Sequence, residues 1–168
     1  MAGERVQGRA TLRPMTEAEF EAWKGPAIKA YADDKSRSLN ISDQEAMALS
    51  VDSFDKELPQ GLGTENNFLF TARNEDDTPV GMAWIAVDTA RGVTTAFVFD
   101  ILIEEPYRGH GYGGSVMLAL EEEARKHGAT RMGLHVFGDN PRAQALYERI
   151  GYKVTDVSMA KEIGLRGR

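Results

Sequence analysis

Cysteine is absent from the 168 residues, which excludes disulfides, a thiol nucleophile and thiolate-held zinc or iron–sulfur centres, and fits a reducing compartment. Also missing is any run of about 18 apolar residues, the length a membrane-crossing helix needs. The opening MAGERVQGRA carries charge but no apolar core of signal-peptide length. A soluble, cytoplasmic protein is expected, with no membrane partner and no metal. Positive charge is scarce: 20 Lys and Arg stand against 26 Asp and Glu, a formal net charge of −6. That balance opposes the phosphate attraction behind nucleic-acid binding and suits a cationic partner better.

What is present fits one domain, large enough to bury roughly two-thirds of the surface its unfolded form exposes. Residues 1–10 read as a flexible N-terminus and 11–168 as a single domain, with no repeat, low-complexity tract or linker. Residues 11–15 make a short strand closed by Pro14. Thr16 and Glu19 then offer a cap for a helix over 17–34, where Phe20, Trp23, Ala27, Ala30 and Tyr31 recur at helical spacing around a kink at Pro26. Ser42 starts a second helix that runs to Leu58, before Pro59. The pattern changes to strands over 67–73, 80–87 and 94–103, an antiparallel meander. An amphipathic helix follows from Gly111 to His127, stopped by Gly128, then a strand over 131–137. Asn140 and Pro141 open a helix to Ile150, Gly151 ends it, and 152–159 gives a last strand. The order β-α-α-β-β-β-α-β-α-β implies an α/β fold with a mixed central sheet and helices on both faces.

Between the third strand of the meander and the next helix lies Pro106-Tyr107-Arg108-Gly109-His110-Gly111-Tyr112-Gly113-Gly114. Glycines there let the backbone turn with its N–H groups unobstructed at a helix N-terminus, where amides and dipole favour an anion. The stretch also fits G-x-G-x-x-G, with Asp139 after the next strand as a dinucleotide site would have it. Context argues against that reading. Glu104, Glu105 and Pro106 separate the strand from the first glycine, the preceding strands are antiparallel, and only about 55 residues follow, too few for a second mononucleotide half. No G-x-x-x-x-G-K-[ST] occurs, so a P-loop is excluded.

Arg108 to Gly113 fits the pattern [R/Q]-x-x-G-x-[G/A], and Asn140-Pro141-Arg142-Ala143-Gln144-Ala145-Leu146-Tyr147-Glu148-Arg149-Ile150-Gly151-Tyr152 fits N-x-x-A-x-x-L-Y-x-x-x-G-[FY]. With both motifs in order and on the expected elements, the chain resembles the GNAT superfamily of acetyl-CoA-dependent N-acetyltransferases. The resemblance covers about 11–161 as topology and 94–152 as sequence pattern. It implies acetyl-CoA as co-substrate, with Arg108, Gly109, His110, Gly111, Tyr112, Gly113 and Gly114 cradling its pyrophosphate, Ser115 opening the helix, and Asn140 and Ala143 along the CoA arm. It also implies that the strand over 101–103 pairs with the pantetheine and splays from the next strand. Main-chain N–H groups near Leu102 and Ile103 would then polarise the acetyl carbonyl.

Direct attack on a thioester needs a neutral amine and a proton for the departing thiolate. Tyr147 matches the family's general acid, two helical turns past Asn140 on a shared face. An alkylammonium is neutral in only about one molecule in a few thousand at pH 7, so a base is required. His135, on the strand opposite the cleft, is one candidate, since imidazole as a class is the side chain suited to proton transfer near neutral pH. Asp100, an acid within the apolar Phe97-Val98-Phe99 and Ile101-Leu102-Ile103 stretch, is the other candidate, directly or through a water, because a buried strand acid demands a reason. The sequence leaves the choice open. Trp23, Tyr31, Phe54 and Trp84 belong either to an acceptor pocket or, more simply, to the core. The expected activity is acetyl transfer to a primary amine on a small molecule, a lysine or a protein N-terminus, by a monomer or homodimer. A non-catalytic acyl-CoA-binding module and an NAD-binding oxidoreductase are the competing classes.

Overall fold

The computed structural model describes residues 7–164. Backbone contacts divide the chain into two units, one running to His135 and the other starting at Val136. The first unit holds β1 (Thr11–Pro14), α1 (Glu17–Leu39), α2 (Asp43–Glu57), β2 (Asn67–Arg73), β3 (Pro79–Ala90), β4 (Val93–Ile103), α3 (Tyr112–Lys126) and β5 (Arg131–Leu134). The second holds α4 (Pro141–Arg149). The sheet order is β1-β2-β3-β4-β5, antiparallel except for the parallel β4–β5 pair. The α/β class, the mixed sheet and the helices on both of its faces are as expected.

Local chemistry sets the helix starts. The Thr16 hydroxyl accepts from the Glu19 amide while the Glu19 carboxylate accepts from the Thr16 amide, a reciprocal cap. Glu19 also pairs with Arg73 at 2.9 Å, tying the start of α1 to β2. Ser42 caps α2, and the buried Ser50 hydroxyl donates to the Ile28 carbonyl at 2.7 Å, joining α2 to α1. Helix α1 runs through Pro26 and ends at Leu39, five residues beyond the expected Asp34. Nothing in 35–39 breaks a helix, and Asn40 ends it by adopting φ 51°, a left-handed conformation asparagine tolerates.

Central β3 is buried on both faces, and its alternation sorts the core into two layers. Met82 and Trp84 join Met15, Phe20, Phe54, Leu58 and Leu69 in the layer under α1 and α2. Ala83 and Ile85 alternate to the other face, the side covered by Val116, Met117, Leu120 and Ala124 of α3. Trp23, Phe54 and Trp84 lie 5.9 Å apart between ring centres, and Phe54 and Trp84 are buried. They pack as core, with Trp23 and Tyr31 at its half-buried margin.

Two strand expectations need correction. The strand expected over 131–137 ends at Leu134, because its ladder with β4 runs only from Thr95–Arg131 to Val98–Leu134. His135 therefore follows the strand instead of standing in it. The last strand expected over 152–159 does not form, and 152–164 holds no regular structure. Val154, Val157 and Met159 are all exposed, and the step of three between the first two splits the apolar residues between the two faces of a strand, so neither face is continuously apolar. The flexible N-terminus expected over 1–10 falls for residues 1–6 outside the described residues. Within Gln7 to Ala10, the Gly8 and Ala10 amides are hydrogen-bonded to His110 and Ser115. Among the described residues no helix is long and apolar enough to cross a membrane.

One position sets the approach of β3 to β4. A Cβ on Gly81 would come to 2.1 Å from the Leu102 carbonyl oxygen, a backbone atom that cannot swing away. Gly81→Ala is expected to lower the unfolding free energy by about 1–3 kcal/mol, as forced overpacking does. The urea midpoint of the variant against the parent measures it.

Candidate active site

The register of β3 on β4 shifts between Trp84 and Ile85: Trp84 pairs with Asp100, Ile85 with Val98, and Phe99 has no opposite number. Such a bulge adds one residue, bends the strand and raises its twist. Strict alternation would place 97 and 99 on one face and 98 and 100 on the other. With the extra residue, Phe99 and Asp100 both face α1 and α2. Phe99 stacks on Trp84 at 4.6 Å and meets Phe97 edge-on at 5.1 Å. Asp100, opposite Trp84, shares that face. Without the bulge its carboxylate would point into the apolar layer under α3, where an unpaired charge is costly.

Burial pushes the Asp100 carboxyl above the usual carboxylate range; the Trp23 indole N–H and the Ile101 amide act the other way, and the negative charge of Asp34 adds to the rise. The Trp23 N–H is itself buried and meets no acceptor in strict hydrogen-bond geometry among the described residues. It therefore acts on Asp100 as a nearby dipole more than as a tight donor. Trp23 was legible in the sequence only as a pocket or core aromatic, and this relation to Asp100 had no signal beyond an acid in an apolar strand.

Beyond the bulge β4 stays paired with β3 as far as Gly81–Ile103, whereas its ladder with β5 has stopped at Val98. The edge over 99–103 is thus free of β5. Hydrogen-bonding direction alternates along a strand. The Glu104 amide donates to the Val80 carbonyl at 2.9 Å, so the main-chain groups of Leu102 also turn to β3, and those of Ile101 and Ile103 turn to the open edge. Of the two amides expected to face a thioester carbonyl, Leu102 is committed to the ladder. Ile103 has the required direction.

The chain then passes a 3-10 turn (Glu105–Tyr107) into the glycine loop. Gly109 and Gly111 take φ values of 78° and 87°, which a side chain would resist. Gly111 is the N-cap of α3, so no side chain occupies the amides of the first turn, and no acidic residue lies in that turn. Free N–H groups, the helix dipole and the absence of a competing carboxylate together fit a pyrophosphate. Arg108 donates from Nε to the Ile103 carbonyl at 2.8 Å, bracing the loop to the open end of β4 with its remaining guanidinium N–H groups still available. His110 Nδ1 lies 3.2 Å from the Tyr107 carbonyl. A carbonyl only accepts, so the ring proton sits on Nδ1. Ser115 accepts from the Ala10 amide at 2.9 Å.

His135 is exposed just after β5. In the second unit Asn140 caps α4, its Oδ1 accepting from the Ala143 amide at 3.1 Å, which leaves the Asn140 NH₂ to donate elsewhere. Tyr147 lies two turns further along α4 and meets Tyr152 edge-on at 6.1 Å between ring centres. Among the described residues no cluster of His, Asp and Glu could hold a metal ion.

Residues 28–152 match the acetyltransferase (GNAT) family. The chain is 35% identical over 152 residues to the uncharacterised N-acetyltransferase YycN of Bacillus subtilis, covering 90% of this chain and 97% of that one. It is 31% identical over 153 residues to YdgE of the same organism, also an uncharacterised N-acetyltransferase, covering 91% and 98%. The crystal structure of YycN superposes with a TM-score of 0.87 at 34% identity, covering 93% of this chain and 99% of that one. The aminoglycoside N-acetyltransferase AAC(6')-Iy, solved in complex with CoA, shares the fold at a TM-score of 0.58 and 16% identity, covering 93% and 95%.

The raised Asp100 pKa has a consequence for stability. A carboxyl whose folded-state pKa lies above its unfolded value gives stability that is full below the unfolded pKa and is lost as pH rises through the folded one. Urea unfolding from pH 3.5 to pH 8 is expected to show Asp100→Asn gaining on the parent as pH rises through that window. A constant difference at every pH would mean that the carboxyl titrates alike folded and unfolded.

Proposed function

The chain belongs to the GNAT acetyltransferase family, and we propose that it moves an acetyl group from acetyl-CoA to a primary amine by direct attack in a ternary complex. The observation that carries this reading is the free edge of β4 ending at an uncapped helix N-terminus. An extended thioester arm can add to such an edge as a strand while its pyrophosphate meets the loop amides. The CoA held by AAC(6')-Iy on the same fold supports acetyl-CoA as the donor here. Residues 11–168 act in this reading as one catalytic domain, and the acceptor amine belongs to a small molecule, a lysine or a protein N-terminus.

Each residue then has a chemical task. The amides of Gly111, Tyr112, Gly113 and Gly114 hold the pyrophosphate, and Arg108 adds charge beside it. The Ile103 amide, turned to the open edge, stabilises charge developing on the acetyl oxygen. Acceptor amines arrive protonated at neutral pH. Asp100 takes that proton directly or through a water; burial raises its carboxyl above the usual carboxylate range, which makes it a stronger base than an exposed aspartate. Tyr147 gives a proton to the leaving thiolate, and Asn140 holds the CoA arm through its free amide donors.

Acetyl-CoA is expected to raise the melting temperature, and NAD is not, since a ligand that binds only the folded state stabilises it by mass action. Gly113→Asp places a carboxylate at the second helical position, which favours the free helix but repels the pyrophosphate. That variant should stay folded and lose the acetyl-CoA shift. A parent with no shift refutes the reading, and a shift without turnover on any amine leaves an acyl-CoA-binding module.

The proton carriers have their own signatures. Tyr147→Phe is expected to cut turnover by about 10²- to 10⁴-fold with little change in CoA affinity. Asp100→Asn should lose more activity at pH 7 than at pH 9, where free amine is plentiful. If His135→Gln shows that recovery and Asp100→Asn does not, the base is His135.

A further inference from the structure

The segment ahead of β1, Gln7 to Ala10, lies against the glycine loop and the first turn of α3. The Gly8 amide donates to the His110 carbonyl at 2.6 Å, and two residues on the Ala10 amide donates to the Ser115 hydroxyl at 2.9 Å. The fit between the two segments is tight from both sides. A Cβ on Gly8 would lie 2.7 Å from the Tyr112 ring and 3.0 Å from the His110 carbonyl oxygen. A Cβ on Gly111 would lie 2.8 Å from Gln7 Cγ. The segments approach this closely only because each carries a glycine at the contact.

From this we infer that Gln7 to Ala10 form a strap that presets the anion cradle, with Gly8 as a positioning residue for the loop; the inference rests on the acetyl-CoA reading above. The link is the geometry of one peptide unit. A trans peptide points its C=O and its N–H in opposite directions. Holding the His110 carbonyl toward Gly8 therefore aims the Gly111 N–H away from the strap, to the side left for a ligand. Gly111, at φ 87°, is the residue whose flanking peptides would otherwise rotate most freely. The second anchor fixes the other end of the same short arc, because the Ser115 amide closes the first turn of α3 on the Gly111 carbonyl at 3.3 Å. His110 and Ser115 are thereby each tied to the strap, and Gly111 to Gly114 lie between them. A loop held in its binding conformation loses less freedom when the ligand arrives, which appears as affinity.

The test compares the full-length parent with Gly8→Val, which forces the strap off Tyr112, and Ala10→Pro, which deletes the amide that reaches Ser115. CoA affinity is read by calorimetry, alongside KM for acetyl-CoA and kcat with an accepted amine. The expected result is a rise of about tenfold in both Kd for CoA and KM for acetyl-CoA, with kcat at saturation retained, the pattern of lost binding without lost chemistry. If Gly8→Val does not fold, Ala10→Pro gives the same readout without added bulk near Tyr112. Unchanged Kd and KM in a folded variant overturn the strap, as does a fall in kcat that accompanies the rise in KM, which would mark general damage to the sheet end. A parent that binds no CoA fails differently: it removes the acetyl-CoA reading and the strap with it.

Discussion

An extra residue in β4, Phe99 with no partner opposite Trp84 and Ile85, is the constraint on which the rest of the site depends. A strand that gains one residue against its neighbour reverses the facing of everything beyond it. Here the reversal sends Asp100 to the α1 and α2 side. It also coincides with the end of the β4–β5 ladder, so the strand that continues to Ile103 has one paired edge and one open edge. The acid and the edge are thus two results of a single insertion.

Around that point the molecule separates rigid support from open chemistry. Trp84 is held by stacking on Phe99, by Trp23 and Phe54, and by its indole N–H donating to Asn67 at 2.8 Å. On the opposite face Ile85, Val116, Met117 and Leu120 are fully buried. Sheet and helices therefore leave β4 little freedom on either face. The loop after it is fixed by links to main-chain carbonyls and by backbone conformation: the Arg108 guanidinium on the Ile103 carbonyl, the Gly8 amide on the His110 carbonyl, and the left-handed Gly109 and Gly111. Because few of the loop's amides are spent in these links, those at the start of α3 stay available to an anion.

Much of this was legible residue by residue. Thr16 with Glu19, Ser42, and Asn140 with Pro141 mark helix starts through side chains that satisfy nearby amides, a short-range chemistry written in the sequence. Strand 67–73 was read to the residue because its apolar run is bounded by turn formers. His135 was placed on a strand that stops one residue earlier, and 152–159 was read as a strand although its apolar residues are split between the two faces. Both errors come from treating β-propensity as sufficient, when a strand also needs a neighbour with unspent hydrogen-bonding groups. The neighbour that bends away from β5 does so at Phe99, 35 residues earlier than Leu134.

The sequence by itself determined the class, the order of nearly all the elements, the anion-binding loop and the family, because these rest on periodicity, caps and glycine spacing within a few residues. Tertiary structure alone decided which main-chain amides of β4 are spent and which are open, which face Asp100 takes, and that Gln7 to Ala10 lie against the loop. Each of those depends on register between segments far apart in the chain: Trp84 with Asp100, Leu102 with Gly81, Gly8 with His110. A one-residue change in register inverts the answer, and local sequence preference carries no information about register across such distances.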